Sequence, residues 1–446
     1  MAAPNVTVTV EPSNVGSILV SELAPLSASH IGQAQLSLRF DVTNNEGTAV
    51  HLSTVALQFP GSSIPGVSIP ADLLVAASGW GEWHFAPANN IILPWPGPSE
   101  VTSLLTFDGY STPITINAPL QAHVSPVADG AYVFPFNSGS LSAGEYFSGR
   151  SGTHGAAGGG VQLFAYDIGV VAIDDDSGNW SDLHPNTNGS KNEHYRIWGK
   201  PIYAMADGTV VAFADQYPAN PNPPADLSPP NPVEGNHYYI QHGDELVLYA
   251  HLQLGTLPSS LKQVGATVAV GDYLGLVGNS GNSTAPHIHL HSIKGTQPWQ
   301  GPLRPLPLRM AGTIAQVEAT DAPMTPPWVD LAGRGLPSEP ALIWPGVLPY
   351  NWKGTFGQYV AIDPLALILS NAVYVKLTLP DPPPLEVLRP RLAQAMRSMS
   401  PAERRRTLAR IDGWNGWLVS LAREIRNIAD AIDRGEGGEL SPPTER

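Results

Sequence analysis

The sequence predicts a mainly β protein. It reads as an N-terminal antiparallel β-sandwich over 1–128, a central antiparallel β-sheet domain over 129–310, a proline-rich β or irregular region over 311–384, and a C-terminal α-helical tail over 385–446. Three observations lead there. Glycine (44) and proline (45) are abundant while only 14% of residues are charged, a turn-rich composition that still suits a packed core. Apolar residues alternate with polar ones at Val6, Val8 and Val10, at Leu36, Leu38, Phe40 and Val42, and at Val55, Leu57 and Phe59. Helical spacing is confined to the end, where Trp414, Trp417, Leu418, Leu421, Ile425, Ile428 and Ile432 form one stripe behind the Ser400-Pro401-Ala402-Glu403 capping box.

Further short strands near 91–93, 104–107 and 113–116 complete the expected sandwich. It holds no convergent histidine or carboxylate cluster, so it reads as a structural or wall-targeting module. In the second region strands are expected around 161–173, 201–204, 209–214, 237–242, 245–251, 268–277 and 287–293, with Asp207-Gly208 as a hairpin turn. Two polar insertions interrupt them, over 174–198 and over 216–235. The second holds seven prolines and must be an irregular surface loop. Both follow strands, which places them to wall a groove. Apolar pieces at 341–344 and 372–379 read as short strands packed on the preceding domain. The helical stripe packs within the chain or on a partner chain.

Formal net charge is −15, yet the tail over 385–446 has 11 arginines against 9 acidic residues. The acidic body argues against a nucleic-acid partner. Cysteine is absent, which excludes thiol catalysis, disulfides and thiolate zinc sites and leaves histidine and carboxylate as metal ligands. The opening MAAPNVTVTVEPS has neither a basic nor an apolar stretch of the secretory kind, and no run of about 18 apolar residues occurs, so neither a signal nor an integral membrane segment is expected.

The chemistry concentrates in His287-Ile288-His289-Leu290-His291. On a strand the three imidazoles share one face while Ile288 and Leu290 point into a core. A metal accounts for that face better than packing does, because imidazole is a common zinc ligand. A hydrolytic zinc site needs about three protein ligands, an open position for water, and a base beside it. Candidates are His154, Asp167, His184, His194, His237, His242, His251, His287, His289 and His291. Asp167 stands inside the apolar run Phe164-Ala165-Tyr166-Asp167-Ile168-Gly169-Val170, where an unpaired charge is costly. His251 ends the strand-like Leu248-Tyr249-Ala250-His251-Leu252.

Four segments, FAYDIGV, KPIYAMADGTVV, IQHGDELVLYAHL and VAVGDYLGLVGNSGNSTAPHIHL, together resemble the catalytic domain of the lysostaphin/LytM-type zinc endopeptidases, which cut peptide bonds in bacterial peptidoglycan. The resemblance spans about 130–308 and leaves the flanks without a counterpart. It implies Zn2+ held by His154, Asp167 and His289, with His251 and His287 as catalytic histidines that are not ligands. Twelve residues separate His154 from Asp167 where the commonest family pattern has three, a span a flexible glycine loop could close, and His194 or His184 is the alternative first ligand to check. His291 falls where the family often has glutamate and reads as supporting. His242 reads as structural, and Asn282 and Thr284 as positioning the loop before His287. The implied substrate is peptidoglycan or another peptide. The alternatives are a catalytically silent relative serving envelope, secretion or phage-tail assembly, and a scaffold of β modules.

Overall fold

The computed structural model describes residues 3–345 apart from 25–31, 87–88, 143, 153, 155–159, 175–178, 222, 224–232, 299–302, 305–312, 318–328 and 332, together with a few isolated positions beyond 345. The described residues are mainly β, arranged in several sheets, with no α-helix of seven residues or more among them. The helical tail expected over 385–446 lies outside them but for isolated helical positions, too few to support it. The capping-box pairing, the partner surface on the tail and the strand at 372–379 lie outside them too. No helix among the described residues is long and apolar enough to cross a membrane.

In the N-terminal part, a three-stranded sheet (Val6–Glu11, Arg39–Asn44, Trp80–His84) packs on an eight-stranded one built around Val50–Gln58, Glu100–Phe107, Ile114–Ala122 and Ser17–Leu23. Alternation explains which residues enter the shared core: Phe40 and Val42 from one sheet, Val50 and Leu52, then Val55 and Leu57, from the other. The phase slip between Leu52 and Val55 coincides with a register shift at Leu52/Thr54, where a bulge turns the following side chains over. The pairing is not wholly antiparallel, because Ile114–Ala122 runs parallel to Ser17–Leu23. Periodicity reports which face a residue takes and is silent on strand direction.

The central sheet runs in the order Thr267–Val268, Gly208–Ala214, Asn236–His242, Glu245–Leu252, Ile288–Lys294, Tyr166–Ile173, Glu145–Gly149, Ala341–Pro345, Thr313–Val317, Val329–Asp330. Residues 341–344 thus add a strand to this sheet. Three expected elements differ. Residues 161–164 form turns, because Val161, Leu163 and Phe164 bury themselves against the sandwich. The stretch 268–277 is two short strands parted by a turn in which Gly271 has φ +83. Asp207-Gly208 is no hairpin turn: Pro201–Tyr203 pairs with Tyr273–Leu276 in a separate two-stranded sheet.

Both faces of the central strands are covered. Val247, Tyr249, Ile288, Leu290, Ile168 and Val170 share one core with Phe134 and Phe147. From the opposite face Leu246, Leu248, Ala250 and Ile293 join the sandwich core. Each fully buried aliphatic side chain contributes about 1.5–3 kcal/mol. A buried polar staple joins the same parts, with His123 Nε2 2.7 Å from Glu245 Oε1 and the Tyr132 hydroxyl donating to Glu245 Oε2 at 2.7 Å.

Candidate metal centre

Three neighbouring strands bring the chemistry together. Register sets Asp167 opposite His289, and His289 opposite Ala250. Directly paired residues share a face, so Asp167, His289 and His291 collect on the side that the sandwich flanks. His251 follows Ala250, and a regular strand would send it to the opposite face. Its backbone instead adopts φ +68, a left-handed conformation that costs a non-glycine residue about 1–2 kcal/mol. That turn brings its ring to 4.8 Å from His287 and 5.9 Å from His289, centroid to centroid. Its amide donates to the Glu234 carbonyl at 3.0 Å. Its Nδ1 donates to the Ser280 carbonyl at 2.8 Å, leaving Nε2 as a lone-pair donor.

His287 precedes the strand by one residue yet faces the same cluster, with Nδ1 tied to the Ala285 carbonyl at 2.8 Å and Nε2 3.4 Å from Asp167 Oδ1. His289 Nδ1 lies 3.0 Å from Asp167 Oδ1. His154 reaches the cluster across its long spacer, its Nε2 3.4 Å from Asp167 Oδ2 and its ring 5.2 Å from that of His289. Donor atoms of His154, Asp167 and His289 lie within 4.8 Å of one another, as do those of His251, His287 and His289. Among the described residues His184, His194, His237 and His242 belong to neither group. The His184 amide bonds the His194 carbonyl within the insertion, and His242 is fully buried with Nδ1 on the Asp207 carbonyl.

Charge is distributed to suit a cation. At Asp167 burial is the largest single influence and opposes ionisation, although the side chain keeps 40% of its surface open. The His287 and His289 imidazoles outweigh it and hold the carboxyl well below the usual carboxylate range. Burial, reinforced by His287 and His289, pushes His251 well below an ordinary histidine. At His154 burial also lowers the pKa, against the pull of Asp167. His287 moves the other way, because the Asp167 carboxylate outweighs its burial. The ionised Asp167 beside the lowered His154 and His251 is a charge arrangement that a divalent cation can use. One oxygen and two nitrogen donors, with no thiolate, suit zinc.

His291 fixes the orientation of His289: its Nδ1 lies 2.9 Å from His289 Nε2. Burial, then the neighbouring His289 and His154, keep His291 well below the ordinary value and hence neutral. It can therefore accept the His289 Nε2–H and leave Nδ1 as the lone pair facing Asp167 and His154.

Asparagines also tie the loops around the cluster. Asn220 Nδ2 donates to the Gly281 and Ser283 carbonyls, Asn192 Nδ2 to the Asn220 carbonyl, and Asn279 Nδ2 to Asn192 Oδ1. The described parts of both insertions are thus fastened to the loop that precedes His287. Asn192 and Asn220 carry no periodicity or motif, and Asn279, Ser280 and Ala285 lie in the segment before His287 without a sign of these contacts. Their roles depend on backbone carbonyls that only the folded loops bring near. Among the residues expected to set this loop, the Asn282 amide donates to the Val233 carbonyl.

Comparison with known proteins covers part of this site, the stretch holding His251, His287, His289 and His291 but not His154 or Asp167. Residues 194–300 match the family model described as Peptidase family M23. The peptidoglycan DD-endopeptidase ShyA of Vibrio cholerae is 32% identical over 101 residues, 22% of this chain and 19% of that protein. ShyC of the same organism, also a peptidoglycan DD-endopeptidase, is 30% identical over 112 residues, 24% of this chain and 21% of that protein. The match therefore spans about a fifth of the length of these relatives. Among solved structures, the catalytic domain of lysostaphin from Staphylococcus simulans is similar at 19% identity over 36% of this chain and 89% of that one, with a TM-score of 0.22. Over residues 194–300 this chain carries a peptidase M23 domain.

Proposed function

We propose that this protein is a zinc-dependent endopeptidase that cleaves peptide bonds in bacterial cell-wall peptidoglycan. The observation that carries the reading is the convergence of His154, Asp167 and His289 within 4.8 Å, with His251 and His287 beside them. Zinc, when bound, supplies the Lewis acidity that polarises a water and the scissile carbonyl.

The chain's own groups do the rest. His154, Asp167 and His289 would hold the ion, and His291 fixes the tautomer of His289. His251 and His287, each with Nδ1 locked on a backbone carbonyl, direct Nε2 into the cluster. Between them these imidazoles take a proton from the attacking water and hydrogen-bond the oxygen that gains negative charge. The raised pKa of His287 depends on the Asp167 charge, so a cation bound to Asp167 returns that imidazole towards neutrality. The DD-endopeptidase names of the relatives point to the stem-peptide cross-link as the bond cut.

Elemental analysis of the purified chain, followed by release of soluble peptides from purified sacculi, tests this. One zinc per chain with chelator-sensitive release supports it. Stoichiometric zinc without cleavage of any wall peptide removes the enzymatic reading, and a metal-free protein removes the site.

A further inference from the structure

We infer that the N-terminal sandwich is a working part of the metal centre, with Gln35 and the surface made by Arg39 and His84 acting as positioning elements for His154. The inference rests on the proposed role of His154 as a ligand. Twelve residues lie between His154 and Asp167, so something outside the spacer must set their relation. The described part of the spacer is a pair of turns, with the Leu163 amide on the Gly160 carbonyl and the Ala165 amide on the Gln162 carbonyl. The His154 amide reaches the same Gln162 carbonyl at 3.4 Å.

Those turns are seated on the sandwich. Val161, Leu163 and Phe164 are buried in its core. Gln35, itself 1% exposed, donates from Nε2 to the Leu163 carbonyl at 2.8 Å and to Ser37 Oγ at 2.9 Å. Ser37 Oγ in turn donates to Asn90 Oδ1 at 2.7 Å. Gly160, at φ +76, comes so close to the sandwich that a Cβ there would stand 3.1 Å from His84 Cγ and 3.6 Å from Arg39 Cδ. The positive φ favours glycine, and a Cβ there would press on the His84 side chain by a few tenths of an ångström. Three residues beyond Leu163 the chain enters the strand that carries Asp167. A buried amide hydrogen bond at this point fixes where the turns sit, and through them the distance from His154 to Asp167.

The test uses the full chain. Gln35→Met keeps length and removes the donor, leaving the buried Leu163 carbonyl without its partner. Leu57→Ala, on a strand that pairs with Val67–Val75 and Glu100–Phe107, lowers sandwich stability elsewhere and serves as the comparison. Zinc affinity is read by competition with a chromophoric chelator, and amide hydrogen exchange at Leu163 and Ala165 is read on the metal-free protein. Q35M is expected to weaken zinc about tenfold, the scale on which supports of metal ligands act, and to speed exchange at both amides. L57A should lower the melting temperature while changing zinc affinity less than about twofold. Equal weakening of zinc by the two variants, or unchanged affinity in Q35M, overturns the inference alone. A wild-type chain that takes up no zinc overturns the metal reading and this inference with it.

Discussion

His251 occupies a backbone conformation that histidine adopts only at a cost, and it is anchored there by the Glu234 and Ser280 carbonyls. A residue kept strained by its surroundings at a cluster of titratable groups is where function and stability compete. Replacing it with alanine should leave zinc content intact and slow peptide release by about 10²–10⁴-fold, measured as initial rates at matched zinc occupancy. Loss of zinc from that variant would reassign His251 as a ligand. His291 makes a different prediction, since it touches His289 and not the carboxylate. His291→Ala should weaken zinc about 10–100-fold, and His291→Gln, which keeps an acceptor, should recover part of that loss. Asp167, His289, His287 and His251 were all legible as candidates, because a charge inside an apolar run and an alternating His-x-His are improbable as plain core. Which nitrogen of each ring faces the cluster was not legible: Ser280, Ala285 and His291 decide that through space.

Elements are set partly by buried polar groups that no periodicity reveals. Glu145, on the strand Glu145–Gly149 and 1% exposed, accepts from Lys200 Nζ at 2.9 Å and faces Arg196 Nη1 at 3.4 Å. Burial opposes its charge, but Lys200, the Ser142 amide and Arg196 together lower its pKa below the ordinary 4.5. The unfolded chain therefore binds this proton more readily than the folded one. The stabilisation is fully present above pH 4.5 and is lost as pH falls through the lower folded value. Denaturant titrations of the wild type and Glu145→Gln should converge in that acid window, and a constant gap between them would sink the assignment. Lys200→Met strands a buried carboxylate and should cost about 3 kcal/mol, read from the same titrations at neutral pH. Turns proved less legible than strands. Asp207-Gly208 has hairpin composition, yet a Cβ on Gly208 would lie 2.6 Å from the Gln241 carbonyl oxygen, so close strand packing explains the glycine.

At the scale of the molecule, one apolar core runs from the sandwich onto the face of the central sheet that bears the cluster. The candidate metal centre thus lies where two regions meet that read as separate in sequence. An ion that binds only the folded state stabilises by about 2.7 kcal/mol at a free concentration a hundred times its dissociation constant. Chelation should accordingly lower the melting temperature, and readdition of zinc should restore it. Thermal scans with and without chelator check this, and a chelated Asp167→Asn protein should show no further shift. An unchanged melting temperature for the wild type would count against a structural ion at this position.

Composition and alternation alone determined that the chain is a β protein, and motif spacing picked out the candidate site residues, because both are local properties of neighbouring residues. The tertiary structure alone decided how His154 meets Asp167 across twelve residues, how His251 reaches the face its strand would deny it, and that the sandwich contacts the turns between them. Those relations depend on contacts such as Gln35 to Leu163 that join distant parts of the chain. The free energy of such contacts has no trace in the order of residues on either side.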